Sequence, residues 1–277
     1  MTDTAEVEPE AARTWRRRVA FWLSPSDQPS WSRPILLITA VVAGIAYGWQ
    51  MGSSTEIFYA AAVRSMSASW HDFLYAAFDP AGTVSIDKLP GALWIQALSV
   101  RVFGIHTWAI ALPQVIEGVI TVLVLYRVVR RLAGPVAAII ASVILAISPA
   151  TMTLDRGNIS DTLLVLLLVL AADSIVTACA TGSSRSVAMS GVWVGLAFQA
   201  KMIEAWFVLP ALGVTYLVVS NRGIWTRILQ LAGMAAIVVA VSLSWMVFVS
   251  LTPNAQRPYV VGSQNNSIFQ QVFDYNG

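Results

Sequence analysis

The chain has 277 residues, 57% of them hydrophobic and 12% charged, with a net charge of +2 and a mean hydropathy of +0.68. A soluble domain carries about a quarter charged residues, so the composition excludes one, and so small a charge excludes the basic face of a nucleic-acid binder. The single cysteine, Cys179, lies in an apolar run, which leaves neither a disulfide framework nor a thiol metal site.

Residues 1–33 read as a tail that starts acidic (Asp3, Glu6, Glu8, Glu10) and turns basic at Arg13, Arg16, Arg17 and Arg18. It ends in a surface segment with Trp15, Phe21, Trp22 and Trp31, and it lacks the apolar core of a cleavable signal peptide. Apolar runs of roughly 16–22 residues follow, the length a helix needs to cross about 30 Å of hydrocarbon. Seven spans are expected between residues 34 and 251. They lie at Pro34–Trp49, Thr107–Tyr126, beyond Gly134-Pro135 to Pro149, Asp161–Ala180, Val187–Phe198, Ile203–Val219 and Ile228–Leu251. The fold class is therefore an all-α polytopic membrane protein.

Between the first two spans the chain keeps a polar stretch of roughly 40 residues, far more than a connecting turn needs. This first loop, about residues 50–106, holds carboxylates, a histidine and cations, and its last part, Pro90–Phe103, is apolar enough to lie on the bilayer. The 26 residues from 252 to 277 form a second polar, extramembranous segment.

Lys and Arg favour the cytoplasmic side of short loops. With the N-terminus inside, Arg13, Arg16, Arg17, Arg18, Arg33, Arg127, Arg130, Arg131, Arg185, Arg222 and Arg227 are cytoplasmic, eleven of the 17 cations. The expected location is the plasma membrane. The first loop, the 151–160 loop, Lys201 and the C-terminal segment then share the outer face.

Several polar residues there carry two readings each. Ser53-x-x-Glu56 fits a capping box with Glu56 at the third helical position, and Glu56 equally suits a base for an acceptor hydroxyl. Asp161 opens a span where the helix dipole favours a carboxylate. Asp155-Arg156 reads as an interfacial pair. Lys88 is either a lysine snorkelling to headgroups or a point charge for a phosphate. Lys201 interrupts an apolar helix pair, where an ionisable group faces a cavity or a partner, and Glu204 is the nearest candidate partner. Glu117, Asp173, His71 and His106 read as structural, and His71-Asp72 and Asp79 lack metal-ligand spacing.

The order of these residues carries a family resemblance. Glu56-Ile-Phe-Tyr59-Ala-Ala-Ala-Val-Arg64-Ser-Met66, Ser69-Trp70, Asp87-Lys88-Leu89-Pro90, Trp94 and Phe103-Gly104 resemble the first outer loop of GT-C glycosyltransferases. The nearest group is the glycosyltransferase 39, protein O-mannosyltransferase and aminoarabinose-transferase set. Asp161 matches an acid opening a later span, Lys201 the lysine of a Thr-Lys-Gly-like motif, and Ser244-Trp245 a Pro-Trp pair. Arg257-Pro-Tyr-Val-Val-Gly-Ser, Asn265-Asn266-Ser and Tyr275-Asn-Gly resemble an actinobacterial and firmicute branch of that set.

The resemblance covers about residues 35–277 and implies a GT-C-like helix bundle with juxtamembrane helices in its first outer loop. It implies an enzyme that inverts a sugar carried on polyprenyl phosphate, transferring it to a glycan, lipid or protein acceptor at the outer face. Catalysis would fall to Glu56 or Asp161 and donor-phosphate binding to Lys88 and Lys201. Tyr59, Arg64, Asp87 and Arg156 would support them. Membrane lipid is the other partner, and no metal or cofactor is assigned. Two departures stand out: Thr55 replaces the first acid of an Asp-Glu pair, and Asp87-Lys88-Leu89-Pro90 displaces the proline of Glu-Lys-Pro. The family continues through further spans, so Gly277 is expected to fall mid-loop in a truncated frame or fragment. A transporter or an inactive remnant are the competing readings.

Overall fold

A computed structural model describes residues 22–277. The acidic-to-basic run from Asp3 to Arg18, with Trp15 and Phe21, lies outside the described residues. The helices are α1 (Ser32–Gly48), α2 (Ile57–Ala68), α3 (Trp70–Tyr75), α4 (Gly91–Phe103), α5 (Thr107–Ile147), α6 (Pro149–Asp155), α7 (Asp161–Thr181), α8 (Ser184–Lys201), α9 (Leu209–Val219) and α10 (Ile224–Leu251). A 3-10 turn, Met202–Val208, joins α8 to α9, and Ile268–Tyr275 forms a last short helical piece. Among the described residues the only β pairing is three isolated bridges, so the protein is all-α.

Among the described residues four stretches are long and apolar enough to cross a membrane: Thr107–Ile147, Asp161–Thr181, Ser184–Val219 and Ile224–Leu251. Two of them are hairpins. Gly134 sits at φ 81°, a conformation that costs little only without a Cβ, and Pro135 is pre-set to start the next helix. The Ser142 hydroxyl reaches the Val122 carbonyl at 3.4 Å, which a straight helix would hold ~30 Å away. The second reversal follows Lys201, where Met202 takes φ 53°. Tyr216 bonds to Gln230, which bonds to Ser184, so α9 ends where α8 began. With the shorter apolar α1, the described residues make seven apolar passes between two ends of one bundle.

The two ends differ in chemistry. At one, Arg127 and Arg131 both grip Asp173, at 2.7 and 3.1 Å, which gives Asp173 the structural role its sequence position implied. Arg222 and Arg227 close the neighbouring turns on backbone carbonyls. The other end holds α2, α3, α4 and α6. There the first loop is no surface excursion: Val63 and Met66 of α2 and Leu93 and Ala97 of α4 share one core with Leu164, Phe198 and Met246 of the passes. Each such Val, Leu, Met or Phe side chain, fully buried, contributes about 1.5–3 kcal/mol, so the loop is a rigid cap. α4 is two-faced, burying Leu93, Gln96, Ala97 and Val100 and exposing Ile95, Leu98, Val102 and Phe103, as a helix lying on a bilayer does.

The C-terminal segment is folded onto this cap. Ser85 N–H donates to the Tyr259 carbonyl, Gln271 donates to the Ile86 carbonyl at 2.7 Å, and Asn276 donates to the Asp87 carbonyl at 2.8 Å. Three side-chain and backbone clamps thus fix the strand-like stretch that leads into Lys88.

A candidate active site where two loops meet

Glu56 begins the site. It is the N-cap of α2, not its third residue, and its side chain makes no capping bond. The capping-box expectation is therefore wrong: the helix starts at Ile57, because the turn before it is closed differently. The Thr55 hydroxyl bonds back to the Gly52 carbonyl at 2.7 Å, and Gly52 N–H donates to the Arg156 carbonyl. The Glu56 backbone is held by Asn158, whose side-chain oxygen accepts from its N–H at 2.6 Å and whose amide donates to its carbonyl at 3.2 Å. Asn158 is fully buried, and Gln96 of α4 donates to its carbonyl at 3.0 Å. The Glu56 carboxylate itself is exposed and enters no ion pair among the described residues.

One turn along α2, Tyr59 meets Lys88, whose Nζ lies 5.2 Å from the centre of the tyrosine ring. Such a cation over an aromatic face is held by the ring quadrupole. Burial works against the charged Lys88, but the Tyr59 oxygen and Asp87 outweigh it and raise the ammonium's pKa, while Lys201 pulls it down. Burial, aided by Asp87, likewise raises the pKa of the Tyr59 phenol against the pull of Lys88. Tyr59, Lys88, Leu89, Ala92, Leu93, Asn158, Ser160 and Ala200 line one pocket.

Lys201 follows Ala200 of that lining. Its Nζ lies 2.7 Å from Asp161 and 3.0 Å from Glu204, so the expected i,i+3 partner is present and a second, unforeseen partner from α7 is shorter. A glycine makes the approach possible. A Cβ on Gly91 would lie 2.5 Å from the Gln199 carbonyl oxygen, so the start of α4 touches the end of α8 backbone to backbone. This approach brings Lys201 near enough for Lys88 to feel its charge.

The remaining expected residues separate. Asp87 flanks the pocket, and its Oδ1 is buried without a hydrogen-bond partner. Arg64 is exposed further along α2 and away from the pocket lining. Arg156 does not pair with Asp155; its guanidinium donates twice to the Ala46 carbonyl at the end of α1, at 3.0 and 2.7 Å. Asp155 instead turns inward and accepts from Thr162 at 2.9 Å, and burial pushes its carboxyl up to about 7. The sequence pattern marks Asn158 only as a helix-opening residue and gives Gln96 no role. A buried amide beside a polar loop is the signal that points to both.

Residues 87–245 match the family described as dolichyl-phosphate-mannose-protein mannosyltransferase. Over 243 residues the chain is 37% identical to a Bacillus subtilis (strain 168) protein named "Putative mannosyltransferase YycA". It is also 37% identical over 243 residues to "Putative mannosyltransferase YkcB" of the same organism. The matches cover 88% of this chain and 35% and 34% of those proteins. The chain thus spans about a third of the length of the curated relatives it matches.

Proposed function

Because this chain belongs to the dolichyl-phosphate-mannose-protein mannosyltransferase family, we propose that it transfers a sugar from polyprenyl phosphate to a membrane-associated acceptor at the outer face. Mannose is the sugar in the relatives' names. The observation that carries the reading is a pocket lined by Lys88, Tyr59, Asn158 and Ala200, where Lys88 feels the charge of Lys201 and Asn158 holds the Glu56 backbone.

In an inverting transfer the acceptor oxygen forms the new bond to the sugar's anomeric carbon while the bond from that carbon to the phosphate oxygen breaks. The acceptor's proton passes to a base, and polyprenyl phosphate leaves with the bonding electrons. Negative charge grows on the phosphate, and fixed cations aimed there lower the barrier more than any other single effect. Lys88 is braced by Tyr59 for that duty. Lys201 already faces two carboxylates, so it would share its charge with the phosphate rather than give it whole.

The same pair sorts the two candidate bases. The Asp161 carboxylate is already engaged, 2.7 Å from the Lys201 ammonium. Asp161 is therefore the positioning partner of Lys201, and Glu56, free of any ion pair among the described residues, is the base.

The test is transfer from radiolabelled polyprenyl-phosphate mannose in vesicles holding this chain with the further part of a Bacillus relative. Lys88→Met and Lys201→Met should each lower turnover roughly 100-fold, the usual size of one lost electrostatic contact. Undiminished transfer in both variants would place the donor phosphate elsewhere.

A further inference from the structure

A second polar cluster lies beneath the cap, outside the pocket just described. Glu117 of α5 and Asp155 of α6 are both buried, 6% and 2% exposed. Neither forms an ion pair with a Lys, Arg or His among the described residues. Arg156, the nearest cation in sequence, is turned to the Ala46 carbonyl. Glu117 Oε2, Asp155 Oδ2 and the hydroxyl of the fully buried Tyr47 are all without hydrogen-bond partners. Asp155 and Tyr47 meet at Gly118, the chain neighbour of Glu117: a Cβ on Gly118 would meet Asp155 Oδ2 at 2.3 Å and the Tyr47 ring at 3.0 Å, so only glycine lets the carboxylate reach this place, and Glu117 feels its charge.

Beside it is a cavity of about 100 Å³ whose polar lining is Asp155, Thr121, Thr151 and Thr162. The hydroxyl protons are already committed at two of these. Thr162 donates to Asp155 Oδ1 at 2.9 Å, and Thr121 donates to the Glu117 carbonyl at 2.7 Å. What these oxygens still offer is lone pairs. An all-oxygen set of acceptors around two uncompensated carboxylates suits a hard cation. Among the described residues no cluster of three or more His, Cys, Asp and Glu occurs, which sets this arrangement apart from a zinc-type centre.

We propose that Asp155, Glu117, Tyr47 and the threonine hydroxyls form a binding site for one small hard cation of the alkali or alkaline-earth class. The ion would neutralise the buried carboxylates and tie α1, α5 and α6 together. Asp155 is three residues from Asn158, so the ion would brace the loop that holds Glu56.

The test is thermal unfolding of the full chain in detergent at pH 8, followed by tryptophan fluorescence. Sodium, magnesium and calcium chloride are each compared with N-methylglucamine chloride at equal ionic strength. At least one of the three should raise the midpoint by several degrees with a saturating dose, as a ligand of the folded state does. Asp155→Asn, which keeps an acceptor for Thr162, and Glu117→Gln should each remove most of that rise. Thr151→Val, which leaves both carboxylates in place, should weaken it. No cation-specific rise in the parent would overturn the site, and so would an equal rise in all three variants. A parent stabilised only by lowering the pH would show that a proton, not a cation, neutralises the pair.

Discussion

The side chain of Asn158 holds the backbone of Glu56 from both sides, accepting at 2.6 Å and donating at 3.2 Å across 102 positions of sequence. This contact joins the first loop to the one before α7, and the Ser54–Gly157 bridge lies beside it. Asn158→Ala should lower transfer about tenfold or more and cost ~1–3 kcal/mol of stability, because two backbone groups lose their partner. Asn158→Asp keeps only the acceptor and should fall between. If the alanine variant loses stability but turns over at the parental rate, Asn158 braces the loop without placing the base.

Gly91 offers a test of how the two lysines are brought together. Gly91→Ala puts a methyl group 2.5 Å from the Gln199 carbonyl, a backbone atom that cannot swing aside. The cost should be about 1–3 kcal/mol, the usual range for overpacking, with a fall in transfer larger than the loss of folded protein explains. Urea or thermal midpoints beside the transfer rate check this. A parental midpoint would mean α4 moves away freely.

Much of the fold is legible from residues alone, and the exceptions share a cause. Gly134-Pro135 and the Gln199–Lys201 interruption mark both hairpin turns. A glycine followed by a proline breaks a helix, and a charge in hydrocarbon has to face a cavity or a partner. Lys201 stands out as a charge in an apolar stretch, and Glu56 and Lys88 as charges of the polar first loop. The pairing of Lys201 with Asp161 spans 40 positions, and no local pattern encodes it. Glu56 is misplaced within α2 by its spacing, because Ser53-x-x-Glu56 satisfies a helix-start pattern that the turn at Thr55 forestalls. Arg156 and Asp155 are adjacent in sequence, yet their side chains diverge to different helices.

Asp155 predicts a dependence on pH. Burial raises its carboxyl to about 7, above the ordinary value of about 4 for an unfolded aspartate. The folded state then holds the proton more tightly. Its stabilising contribution is whole below about pH 4 and is lost as pH rises to about 7. The groups facing it are Glu117, Tyr47 and Thr162, with no cation among the described residues. In buffers whose only cation is N-methylglucamine, stability should fall by up to about 1.4 kcal/mol per pH unit across that window. Asp155→Asn should flatten the curve. An unchanged slope in that variant would assign the dependence to another group.

The arginine-rich end and the Lys88–Lys201 end lie on opposite ends of the bundle, which predicts a topology. A reporter active only outside the membrane should work when fused after Thr55 or Gly262 and fail after Arg131 or Asn221. The reverse pattern would put the pocket on the cytoplasmic side, out of reach of an outward-facing donor.

The most direct test of Glu56 as the base is the transfer rate of Glu56→Gln in the same vesicles. The amide keeps the size of the side chain and leaves the Asn158 clamp on the backbone untouched, so folding should be unaffected. What it removes is the proton acceptor, and turnover should fall roughly 100-fold or more. Asp161→Asn, measured in parallel, should weaken donor binding through Lys201 more than it slows the step itself. Turnover near the parental rate in Glu56→Gln, with the large loss in Asp161→Asn, would contradict the assignment and move the base to α7.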